Sequence, residues 1–71
     1  MTIKKEIRRV TQRTSILMQS TTSGEVDVFT LTDMGEFDIV GNFQTCPDWQ
    51  SAVSLADKLA LAVQANGRRD Q

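Results

Sequence analysis

Seventy-one residues, a formal net charge of −1, no histidine and one cysteine leave few classes of molecule open. A chain of fewer than about 80 residues fills one small core, typically worth about 3–5 kcal/mol, so residues 1–71 read as one domain. The lone Cys46 excludes an internal disulfide scaffold and points to the cytoplasm, and without histidine a zinc site or a neutral-pH general base is not expected.

The first residues are basic but lead into no apolar run, so they do not read as a secretory signal, and no stretch has the roughly 18 apolar residues of a membrane span. The net charge conceals a strong sorting along the chain. Residues 1–13 carry Lys4, Lys5, Arg8, Arg9 and Arg13 against Glu6, a local +4. Residues 14–57 carry Glu25, Asp27, Asp33, Glu36, Asp38, Asp48 and Asp57 with no Lys or Arg, a local −7. Lys58, Arg68 and Arg69 against Asp70 add +2 and restore the total.

Residues 1–13 form a basic N-terminal segment that fits two structures. Ile3, Ile7 and Val10 follow a helical spacing, whereas Val10, Thr14, Ile16 and Met18 share the parity of one long strand. A long first strand with a frayed start is slightly preferred. From Thr14 to Ser20 the chain reads as strand, followed by the turn-prone Thr21-Thr22-Ser23-Gly24. Glu25–Thr32 alternates, is rich in β-branched residues and is followed by Asp33-Met34-Gly35. Glu36–Phe43 repeats the alternation straight after that turn, which implies an antiparallel hairpin. Residues 14–43 are thus an acidic three-stranded meander.

The period then changes to 3.6. Thr45-Cys46-Pro47-Asp48 resembles a capped helix start with Thr45 as the cap, and Trp49, Ala52, Val53, Ala56, Leu59, Ala60 and Val63 share one face. Asn66-Gly67 is a left-handed stop signal, so the helix is expected over 46–65 and a tail over 66–71. The fold class that follows is α+β: a three-stranded antiparallel sheet with one C-terminal helix on one face.

Counting faces against covers suggests a function. With Met34 and Gly35 as the only turn residues, Val26, Val28, Phe37, Ile39 and Phe43 share the face that the helix covers. Phe29, Leu31 and Val40 share the other, ringed by Glu25, Asp27, Glu36 and Asp38. That second face has no obvious cover unless the N-terminal segment folds across it. Large apolar side chains left in water forgo about 1.5–3 kcal/mol each, so an uncovered cluster marks an interaction surface. These seven residues are the expected protein-binding site, and a symmetric homodimer through the same face is a second way to cover it. A one-residue slip in register would exchange the two faces.

Other features have ordinary readings. Cys46 lacks a base or a thiol partner and reads as a capping-region or small core residue, and Trp49 reads as core. Leu61 falls on the polar side of the helix wheel, where a single exposed leucine is normal. The acidic pairs Glu25/Asp27 and Glu36/Asp38 read as solvated strand positions, so no catalytic residue, cofactor or metal is expected. Lys4, Lys5, Arg8, Arg9 and Arg13 are the alternative site, five cations within ten residues able to meet nucleic-acid phosphates.

If residues 1–10 were helical, the element order would resemble that of double-stranded-RNA-binding domains. Thr45-Cys46-Pro47-Asp48-Trp49-Gln50 departs from that family, which places lysines for phosphate at the start of its second helix. At the level of class alone, size and acidic composition are similar to those of small inhibitors from phages and mobile elements, anti-CRISPR proteins among them. The expectation is therefore a non-enzymatic binding protein, an inhibitor or adaptor.

Overall fold

The computed structural model describes residues 4–69, with side-chain environments given through Ala65. Five elements follow in chain order: β1 (Lys5–Arg9), β2 (Thr14–Ser20), β3 (Val26–Asp33), β4 (Asp38–Cys46) and α1 (Trp49–Arg69). The strands form one antiparallel sheet in the order β1-β2-β3-β4, and α1 packs against one face of it. The α+β class expected from the sequence is present, but the sheet has four strands instead of three.

The extra strand comes from the basic segment. Residues 5–9 neither form a helix nor extend β2: a four-residue loop at 10–13 folds them back as a separate edge strand, with Lys5 opposite Gln19 and Arg9 opposite Ser15. The Thr11 hydroxyl accepts hydrogen bonds from the backbone of Arg13 (3.3 Å) and Thr14 (3.0 Å), while the Val10 and Thr11 amides donate to the Thr14 carbonyl. Threonine in a turn satisfies backbone donors that a continuous strand would have paired elsewhere. With β1 at the sheet edge, the described N-terminal residues do not cross the second face.

The second hairpin departs from the expected register. Its loop is Met34–Phe37, four residues instead of two, closed by the Met34 amide donating to the Phe37 carbonyl (2.9 Å) and the Gly35 amide donating to Asp33 Oδ1 (2.8 Å). Gly35 sits at φ +97°, a conformation that side-chain-bearing residues rarely adopt. Asp33 therefore faces Asp38, Thr32 faces Ile39 and Leu31 faces Val40. Phe37 belongs to the loop and is 60% exposed instead of lying under the helix.

A bulge interrupts β4 between the Thr30/Gly41 and Val28/Gln44 pairs, with Asn42 at φ +53°. Asparagine is among the few non-glycine residues that tolerate this left-handed conformation. The extra residue reverses the alternation, so Phe43 leaves the helix side, where a regular strand would place it, and stacks on Phe29 with centroids 5.5 Å apart.

The core lies between the sheet and α1. Ile16, Met18, Val26 and Val28 from the strands, Cys46 at the end of β4, and Ala52 and Ala56 of the helix are buried together, with Trp49, Val53, Leu55, Leu59 and Ala60 packed around them. Two alanines at the contact let the helix approach closely, which fits a molecule only 15 Å across its shortest axis. That thickness accommodates a sheet and one helix and no third layer. Thr30 is the buried polar residue of this face, and its hydroxyl donates to the Gly41 carbonyl at 3.0 Å.

The helix begins later and ends later than its sequence suggests. Asp48, not Thr45, caps it: Asp48 Oδ1 accepts from the Ser51 amide at 2.7 Å, and hydrogen bonding by Ser51 holds this carboxyl below the usual aspartate range. Thr45 and Cys46 remain in β4, and α1 runs through Asn66-Gly67 to Arg69. Arg8 ties β1 to this helix through Asp57 at 2.7 Å and also pairs with Glu6 at 3.1 Å. Among the described residues, no helix is long and apolar enough to cross a membrane.

Candidate interaction face

Antiparallel pairing aligns opposite residues into rows that run across the strands. On the face away from α1, one row is Lys5, Gln19, Asp27 and Thr45. The next holds Ile7, Leu17 and Phe29, with Phe43 delivered to Phe29 by the bulge. The third holds Arg9, Ser15, Leu31 and Val40, and Asp33 and Asp38 close the face at its end.

The middle of this face is apolar. Ile7, Val40 and Phe43 are 58%, 54% and 58% exposed, Phe29 and Leu31 are half-buried, and Leu17 is buried beneath its row neighbours. The three phenylalanines of the chain all lie outside the core: Phe29 and Phe43 here, Phe37 in the loop. Large apolar side chains therefore stand on the uncovered side and in the loop, while alanines occupy the closest contact of the helix with the sheet.

The charges are sorted across the same face. Lys5 and Arg9 stand on β1 at one edge, whereas Asp27, Asp33 and Asp38 stand on β3 and β4. Asp27 Oδ1 accepts the Thr45 hydroxyl at 2.9 Å. Asp33 and Asp38 sit directly opposite each other, a like-charged arrangement that costs stability unless a cation approaches. Among the described residues, no ion pair within 4.0 Å involves these aspartates or Arg9 and Arg13. A shallow cavity of about 330 Å³ lies at this end, lined by Ile7, Arg9, Arg13, Leu31, Asp33 and Asp38 among others.

The residues expected for protein binding are partly brought together. Asp27, Phe29, Leu31, Asp38 and Val40 share the face as anticipated. Glu25 lies in the β2–β3 turn, where it accepts from the Ser23 hydroxyl at 3.1 Å, and Glu36 lies in the β3–β4 loop, so neither belongs to a strand row. Ile7, Leu17 and Phe43 were not anticipated. The run Ile16-Leu17-Met18 carried a usable signal, because consecutive apolar residues in a strand imply that both faces have something to bury. Gly41-Asn42 inside an alternating run was a second signal, for the bulge.

The alternative basic site is divided by the same strand geometry. Lys4 lies over the Trp49 ring at 4.3 Å, and Arg8 is engaged by Asp57 and Glu6 on the helix side. Lys5 and Arg9 point to the opposite face, and Arg13 lies beyond them in the hairpin loop. The five cations thus do not form one continuous patch.

Both edges of the sheet resist addition of another strand. β1 is five residues long and mostly charged, and β4 is broken by the bulge, two devices that discourage edge pairing. Comparison with known proteins finds no matching family model, no curated relative and no matching solved structure.

Proposed function

We propose that this chain is a non-catalytic protein-binding module, an inhibitor or adaptor, whose working surface is the open sheet face. The observation that carries the reading is the contiguous apolar row of Ile7, Leu17, Phe29 and Phe43, continued by Leu31 and Val40, with no described element of the fold above it. Aromatic and branched side chains at the centre with charges at the margin form the usual anatomy of a binding surface. The guarded sheet edges favour recognition by side chains of the face over strand addition.

The test is Phe43→Glu, at a position already 58% exposed, where the fold has little to lose. Wild type and variant are compared in capture from the native host, and the captured protein is then purified and titrated against both. The expected result is a loss of at least about tenfold in affinity with an unchanged circular dichroism spectrum. Equal binding by Phe43→Glu would overturn the assignment of the face.

A further inference from the structure

We infer that the open face is self-complementary and that its occupant is a second copy of this chain, seated face to face with its strands aligned. This rests on the reading of the face as a protein-binding surface and names the partner. The sorting of charge carries it. Lys5 and Arg9 occupy β1, Asp38 and Thr45 occupy β4, and Asp27 and Asp33 occupy β3, with the apolar rows between.

Two sheets packed face to face can be related by a two-fold axis lying between them. If the axis runs parallel to the strands, midway between β2 and β3, β1 lies over β4 of the second copy and each row stays over the same row. Lys5 then stands above the row of Asp27 and Thr45, and Arg9 stands above Val40, next to Asp38. The Ile7, Leu17, Phe29 and Phe43 row meets itself and forms the centre. The cations of one copy also approach the Asp33/Asp38 pair of the other, which forms no ion pair among the described residues of its own chain.

The other axis, across the strands, reverses the rows. It sets Asp27 over Asp33 of the second copy and keeps both β1 strands together, so like charges meet. The charge pattern therefore selects one arrangement of the two.

The size of the face sets the strength. Four strands about 4.8 Å apart and some eight residues at about 3.4 Å each give roughly 500 Å² per copy. Two copies bury on the order of 1,000 Å², the lower bound for a specific complex. The dimer is therefore weak and dissociates on dilution.

Sedimentation equilibrium of the full chain from about 1 µM to about 1 mM tests this, with the apparent mass expected to rise from 7.9 kDa towards twice that value. The double variants Lys5→Glu/Arg9→Glu and Asp27→Lys/Asp38→Arg are each expected to stay monomeric where wild type is dimeric. Their equimolar mixture is expected to regain the doubled mass, which also shows that both are folded. A monomeric wild type across the whole range overturns the inference, as do charge variants that dimerise like wild type or a mixture that does not recover. A monomeric wild type whose capture of a foreign protein is lost with Phe43→Glu removes only the second copy and leaves the open face as the binding surface.

Discussion

The two faces of the sheet are built from different side chains for different ends. Under the helix, valines, Ile16, Met18 and two alanines close to a dry, closely spaced core. On the other side Ile7, Val40 and Phe43 are exposed, Phe29 and Leu31 are half-buried, and Leu17 is buried among them. The comparison teaches that residue size alone does not identify a core. Aliphatic strand residues meeting two alanines and the flanking Trp49 and Leu59 of the helix make the covered layer, whereas two phenylalanines with Ile7, Leu31 and Val40 make the uncovered one.

Truncation should separate the faces most sharply. Met18→Ala removes a fully buried side chain and is expected to cost about 2–5 kcal/mol, most of the total for a domain of this size, whereas Val40→Ala should cost less than about 0.5 kcal/mol. Urea unfolding of the two variants measures the contrast, and equal midpoints would erase the distinction drawn between the faces.

A smaller effect is expected at the bulge that assigns Phe43 to the open side. Asn42→Val forces a branched residue into φ +53° and should cost about 1–2 kcal/mol, while Asn42→Gly is expected to be tolerated. If both variants melt alike, the left-handed residue is not what holds β4 in its register.

The smallest effect concerns acid. The Asp48 carboxyl is held below its ordinary range by Ser51, so the unfolded chain takes up that proton first. Its stabilising contribution is complete above about pH 5, and it is lost as pH falls through the ordinary aspartate value near 4 and the lower folded value. Melting curves should show a shallow acid-side slope that is absent from Asp48→Ala. Because Asp48 caps the helix of the covered face, that slope belongs to the core layer, and an Asp48→Ala protein with the same slope would contradict the cap.

Periodicity made much of this fold legible. The 3.6-residue spacing from Trp49 to Val63 located the helix, and the alternation in 25–32 located β3, because each element buries one face only. Five residues with two charged positions at either end and Ile7 between them gave β1 too little pattern to stand out, since an edge strand with one apolar residue resembles a frayed extension. The register of β4 was hidden for another reason. Loop length and a bulge each shift the alternation, and both depend on backbone conformations at Gly35 and Asn42 that composition does not encode. Of the open sheet face, Phe29, Leu31 and Val40 followed from parity alone, while Phe43 required the bulge.

The order β1-β2-β3-β4-α1 also governs the protein's biosynthesis. Each strand pairs with its neighbour in sequence, so the sheet can assemble as the chain emerges, but α1, which closes its inner side, is made after all four strands. Until about twenty further residues have been added, the nascent sheet is apolar on both sides. A chain truncated before Trp49 would thus yield an aggregating fragment, and synthesis of α1 decides whether the sheet has one uncovered apolar side or two.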